Sequence, residues 1–181
     1  MNMINRVAQI DIEHLASLRA NIEDFMKRVG HTYGKGGMRL LDVAPQDHKG
    51  AQPFFPTDII YETLDIDSNS GATFIADLCS CSEALGHDRY DLVVCTEVLE
   101  HTLQPFDAVV NIFNILKPGG YAFVSTPFNF RIHGPLPDCW RFTEHGLREL
   151  FKSFEIIELI GLESTDRFLM PIQYTLIARK R

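Results

Sequence analysis

Acidic and hydroxyl side chains stand at the ends of apolar runs along this chain. Asp65 closes "IIYETLD", Asp77 follows "TFIA", and Thr96 with Glu97 follows "YDLVVC". Asp42 lies inside another run, "RLLDV", which leads into "APQDHKG". Asn129, His133, Asp138 and Arg141 follow in "NFRIHGPLPDCWRFTEHG". A carboxylate closing a parallel strand can accept hydrogen bonds from both hydroxyls of a ribose. Asp77 and Leu78 offer an acceptor and an apolar wall to an adenine. His133 can take a proton from a hydroxyl near neutral pH, with Asp138 to orient it or to meet the acceptor itself. Arg141 can pair with Asp138 or with an anionic group on a substrate. Plainer roles compete. Asp65 can cap a turn with Asp67, and Asp77 can N-cap a short helix. Asp42, within an apolar strand, needs hydrogen-bond donors from the following loop.

These residues need strands and helices to bring them together. Leu15, Leu18, Ile22, Phe25, Met26 and Val29 recur at helical spacing over residues 11–29, with Gly30 as the terminator. Strands are expected over 39–44, 59–65, 73–76, 90–95 and 120–126, and helices over 105–116 and 143–152. That alternation implies a parallel sheet with helices on its faces. Only "SNSGA" separates Asp67 from Thr73, so the 73–76 strand is a stub or lacks its crossover helix. The last apolar segments, "EIIELIGLES" and "IQYTLIARK", have no helix between them and are expected to pair antiparallel at the sheet edge. The expected fold is one α/β domain over 1–181: a doubly wound, mostly parallel sheet, an antiparallel edge strand and a helical extension over 1–30. Ligands of such sheets bind beyond the carboxyl ends of the strands, where the residues above collect. In the 129–146 segment, Trp140 and Phe142 are expected as core anchors, Arg141–Asp138 as an internal brace and Thr143 as a helix cap.

With 181 residues, 45% of them hydrophobic and 23% charged, the chain suits one domain with a sizeable core. A net charge of −7 argues against general nucleic-acid or anionic-membrane binding. The four cysteines form no CxxC pair, which fits reduced thiols in a cytoplasmic protein and no structural zinc. No apolar run approaches the ~18 residues that span a bilayer, and the N-terminus lacks the apolar core of a signal peptide.

"YDLVVCTEVLEHTLQPFDAVVNIFNILKPGGYAFVSTPFNF" resembles the class I S-adenosylmethionine-dependent methyltransferases of the small type 11 sort. The likeness runs from about Arg39 to Phe151 and is strongest over 90–127. It implies methyl transfer from S-adenosylmethionine to a small-molecule oxygen or nitrogen acceptor. By position it implies cofactor contacts from Asp42, Ala44, Gln46, Asp65, Ile66, Asp77, Leu78 and Thr96. It makes "KPGG" (117–120) a structural turn. Where the family pattern resembles Asp-x-Gly-x-Gly, this chain has Ala44 and Gln46 at the glycines. Gln46 replaces a glycine at positive φ only at a cost. The favoured reading is therefore a rebuilt loop that still holds the cofactor.

Three alternatives compete. A nicotinamide-binding domain needs a phosphate loop that is missing here. A non-catalytic module, supporting an active partner, would explain the altered first motif. Glu97, Glu100 and His101 stand at i, i+3 and i+4, with His133 beyond the next strand. Two carboxylates and two histidines suit magnesium, manganese or zinc. The preferred reading is that they cap and brace a short helix, and no metal is expected.

Overall fold

The computed structural model describes residues 7–45, 50–164 and 167–181. The chain opens with α1 (Gln9–Tyr33). Then follow β1 (Arg39–Val43), β2 (Ile60–Asp65), β3 (Phe74–Ile75), α2 (Ser82–Leu85) and β4 (Tyr90–Thr96). After these come α3 (Pro105–Ile115), β5 (Leu116–Pro127), α4 (Glu144–Leu150), β6 (Glu155–Leu162) and β7 (Gln173–Arg179). The seven strands form one sheet in the order β3-β2-β1-β4-β5-β7-β6. The pairs from β3 to β5 are parallel, and β7 runs antiparallel to both β5 and β6. The terminal pair thus lies at the edge as expected, with the antiparallel strand one place inboard of β6.

Apolar continuity explains the burial. In β1, Leu40 and Leu41 are both fully buried because the two faces of the sheet carry separate apolar layers. Leu41 packs with Leu64, Val93, Ile112 and Phe151 on one face, under α3 and α4. Leu40 packs with Phe25, Met26, Val29 and Phe123 on the other, under α1. Tyr33 closes this second layer against Tyr121 and Phe123.

Gly30 is no terminator. Helix α1 runs through it to Tyr33, and Gly34 follows the last turn. A Cβ on Gly30 would lie 2.0 Å from the Phe54 carbonyl oxygen. The missing side chain lets the helix touch the 3₁₀ turn Gln52–Phe54, all the helix that the proline-rich β1–β2 connection holds among the described residues. At the far side of the sheet, β3 is a two-residue stub. The KPGG turn is a bulge within β5: Tyr90 pairs with Leu116, but Leu92 already pairs with Tyr121.

Candidate cofactor and acceptor site

The sheet order reverses between β1 and β4, the place where an open α/β sheet leaves a crevice beyond its strand ends. Asp42 sits in β1 with 3% of its surface exposed. Its Oδ2 accepts from the Ala51 amide and the Tyr61 hydroxyl, each at 2.7 Å. These are the donors a buried carboxylate requires, and they come from the following loop and from β2. Burial pushes its pKa up to about 6, against the lowering effect of those two bonds.

Ala44 and Gly50, at the described ends of the loop after β1, both take left-handed backbone. Ala44 has φ 49°, in the left-handed region, and its amide donates to the Leu64 carbonyl at 2.7 Å. Gly50, at φ 57°, completes the loop. A Cβ there would meet the Tyr61 hydroxyl at 2.4 Å and Asp42 Oδ2 at 2.5 Å. Gly50 is the glycine that the sequence reading missed. A fixed motif spacing does not point to it, whereas the tyrosine facing Asp42 across the β1–β2 pair does. Gln46 lies outside the described residues.

Asp65 closes β2, and its Oδ1 accepts from the Asp67 amide at 2.9 Å. The turn-capping role is therefore real, and it uses Oδ1 alone among the described residues. Ile66 beside it is 71% exposed. Asp77 follows the stub β3. It does not N-cap α2, whose preceding residue is Cys81. Instead it caps the 77–80 turn, with Oδ1 accepting from the Cys79 amide at 2.8 Å. Asn111 of α3 pins this segment, donating to the Cys79 carbonyl and accepting from the Ser82 amide. Leu78 is buried in the core, so its side chain faces away from the exposed Asp77 carboxylate.

Thr96 ends β4, and Glu97 follows it. Glu97 has φ 55°, a strained value for a non-glycine residue. Its Oε1 accepts from Ser125 Oγ at 2.8 Å and Gln173 Nε2 at 2.7 Å. Gln173 in turn accepts from Asn21 of α1 at 2.7 Å. Withdrawal from water raises the Glu97 pKa to about 7, and these two bonds oppose the rise.

The segment after β5 folds back over the Leu99–His101 turn. The Cys139 and Trp140 amides both donate to the Glu100 carbonyl. Asp138, its side chain fully enclosed, holds Arg141 through both carboxylate oxygens. Asp138 Oδ2 also accepts from the His133 backbone amide at 3.0 Å and lies 3.1 Å from His133 Nδ1. The brace expected between Asp138 and Arg141 is present, and the same carboxylate holds the His133 amide and ring. Desolvation lowers the His133 pKa, against the charge of Asp138. The Arg141 bond chiefly lowers that of Asp138, to about 2. Thr143 caps α4, accepting from the Gly146 amide. Phe142 packs on the core. Trp140 does not: it is 41% exposed, and its Nε1 donates to the Thr102 carbonyl at 2.8 Å. That polar tether makes it a clasp between two rim segments. All four cysteines are free thiols.

Ala44, Asp65, Asp77 and Thr96 thus lie at the carboxyl ends of four adjacent parallel strands, and His133 follows the fifth. This fold and this rim define a class I S-adenosylmethionine-dependent methyltransferase fold. The family model described as "Methyltransferase domain" matches residues 13–160, and the chain belongs to that family. A S-adenosylmethionine-dependent methyltransferase from Archaeoglobus fulgidus superposes with a TM-score of 0.67 at 15% identity, over 90% of this chain and 94% of that one. The N-methyltransferase NodS from Bradyrhizobium japonicum, in complex with S-adenosylhomocysteine, superposes with a TM-score of 0.65 at 13% identity, covering 90% of this chain and 87% of that one. The ubiquinone biosynthesis O-methyltransferase of Proteus mirabilis is 36% identical over 61 residues, 34% of this chain and 25% of its own. The hybrid synthetase poxE of Penicillium oxalicum is 27% identical over 157 residues, 79% of this chain but 4% of its own. The chain therefore spans only a small part of these curated relatives.

Proposed function

We propose that the protein transfers a methyl group from S-adenosylmethionine to a small-molecule oxygen or nitrogen nucleophile. The observation that carries this reading is the convergence of Ala44, Asp65, Asp77 and Thr96 at the strand ends around the sheet's reversal point. The residues present suit the cofactor. Asp65 has an oxygen to spare for ribose hydroxyls, and Ile66 offers an open apolar surface beside it. Asp77 presents an exposed carboxylate to an adenine, with Leu78 supplying backbone rather than side chain. The left-handed Ala44 and the side-chain-free Gly50 bring backbone close to Asp42 without the usual pair of glycines. S-adenosylmethionine has no phosphate to cradle, so it tolerates such a loop, where a nicotinamide dinucleotide does not.

When bound, the cofactor supplies an already activated methyl group. The chain's task is then to align the acceptor, exclude water and remove a proton. Nδ1 of His133 faces the Asp138 carboxylate, which leaves Nε2 as the basic atom. Its lowered pKa keeps that atom unprotonated at neutral pH.

Titration of the purified protein with S-adenosylhomocysteine, followed by heat or thermal shift, tests the cofactor half. Ligand at about 100 Kd adds about 2.7 kcal/mol of stability. No shift would leave a non-catalytic module. Labelled methyl transfer to a panel of hydroxyl and amine acceptors tests the other half. With an acceptor in hand, His133→Ala is expected to lower turnover by ~10²–10⁴ and leave cofactor affinity nearly intact.

A further inference from the structure

Two segments of the rim meet beside His133. The Cys139 and Trp140 amides donate to the Glu100 carbonyl, His101 Nδ1 lies 2.9 Å from the Pro137 carbonyl, and Trp140 Nε1 donates to the Thr102 carbonyl at 2.8 Å. These bonds lay residues 136–140 along residues 100–103 and leave apolar side chains outside. Leu103, Leu136 and Ile132, the last next to His133, are each at least 73% exposed. The one polar side-chain atom of Trp140 is tied to Thr102, so what this residue offers to solvent is ring. Phe130 meets the His133 ring edge to face, with centroids 5.2 Å apart.

Charge is scarce around this collar. Residues 102–106 carry none, and within 130–140 Asp138 is enclosed and bound to Arg141. Among the described residues, Arg131 is then the one permanent charge that these two segments turn to solvent. Apolar side chains scattered singly over a surface are ordinary, but four on two segments bonded to each other mark a place that something covers.

We infer that this collar seats the apolar body of the acceptor, a molecule with an aromatic or hydrocarbon portion attached to the oxygen or nitrogen that is methylated. The inference rests on the methyltransferase reading above. A nucleophile that gives its proton to His133 must come within hydrogen-bond reach of the imidazole. The rest of that molecule then lies on what borders His133, which is Phe130, Ile132 and the 136–140 segment. A polyhydroxylated molecule would find few side-chain partners there. Each methylene moved from water onto apolar surface, by contrast, raises affinity by up to about fourfold. The Trp140 tether and the bonds to the Glu100 carbonyl fix the two segments against each other beforehand, so little ordering cost is left for binding.

Trp140 is the chain's one tryptophan and reports on the collar directly. Protein saturated with S-adenosylhomocysteine is titrated with 4-alkylphenols and 4-alkylanilines, ethyl to hexyl, while tryptophan fluorescence is followed. A change in emission is expected, with affinity rising at least about twofold per methylene. Leu103→Ser combined with Leu136→Ser should lower affinity for the hexyl compounds at least fivefold and leave S-adenosylhomocysteine within about twofold. Circular dichroism verifies folding; should the double variant fail to fold, Ile132→Ser takes its place. Affinity that ignores chain length, or that is undiminished in the folded variant, overturns the inference. So does a different occupant: binding to phosphatidylcholine vesicles, or dimers in size-exclusion chromatography, that the same variant loses. S-adenosylhomocysteine titrated alone reads the cofactor site separately. If it does not bind while the alkylphenols do, the methyltransferase reading fails and the collar's ligand is no acceptor.

Discussion

The Tyr61 hydroxyl donates to the buried carboxylate of Asp42 at 2.7 Å, and both groups border the space that a side chain on Gly50 would enter. Gly50 is thus held without a side chain against Asp42 and Tyr61. Gly50→Ala should therefore be costly. Left-handed backbone costs alanine roughly 1–2 kcal/mol, and the new methyl would sit 2.4 Å from the Tyr61 oxygen. A loss of at least ~2 kcal/mol in urea unfolding is expected, together with weaker S-adenosylhomocysteine binding. Ala44→Gly, at a residue already left-handed, should lose neither. Wild-type stability in Gly50→Ala would show that the loop is not packed this way.

Asp42 also predicts a pH dependence. Its folded pKa of about 6 exceeds the ordinary 3.8, with burial as the main cause. Between about pH 4 and 6 the folded protein thus binds the proton more readily than the unfolded chain. This residue's contribution makes stability rise as pH falls through that window. Keeping the charge above pH 6 costs roughly 3 kcal/mol. Asp42→Asn retains an acceptor oxygen for Ala51 and Tyr61 and removes the charge. Urea midpoints at pH 7.5 and 4.5 should differ less in the variant than in wild type. Asp138, with its pKa lowered to about 2, acts in the opposite sense and at lower pH.

Asp65→Ala should weaken S-adenosylhomocysteine by ~1.5–3 kcal/mol, the loss expected for charged hydrogen bonds. The melting temperature without ligand should change little, because the Asp65 side chain bonds only to its own turn among the described residues. Calorimetric titration reads the first effect and a thermal melt the second. Unchanged affinity in the folded variant removes Asp65 from the site.

Trp140→Phe separates a clasp from a core anchor. Loss of the Nε1 bond to Thr102 should cost about 1 kcal/mol, well below the ~3–5 kcal/mol of truncating a core aromatic. Urea unfolding followed by circular dichroism gives the number. A cost in the core range would mean that the ring packs more deeply than its 41% exposure shows.

The sequence by itself determined the alternation of strands and helices and the rim positions of Asp65, Asp77 and Thr96. Apolar periodicity and short-range spacing encode both, because a strand's end follows directly from where its apolar run stops. It also determined that Thr143 caps a helix, a contact three residues long. Tertiary structure alone decided what surrounds Gly30, Gly50 and Glu100. Gly30 looks like a helix stop until Phe54 is brought against it from 24 residues away. Gly50 is one glycine among 12 until Tyr61 crosses from β2 to Asp42. Glu100, His101 and His133 read as a helix brace until β5 and the following segment return His133 to within 3.7 Å of a carboxylate that has no hydrogen-bond partner among the described residues. Each of these roles depends on which distant atoms arrive within a few ångströms. Residue type and local spacing carry no record of that.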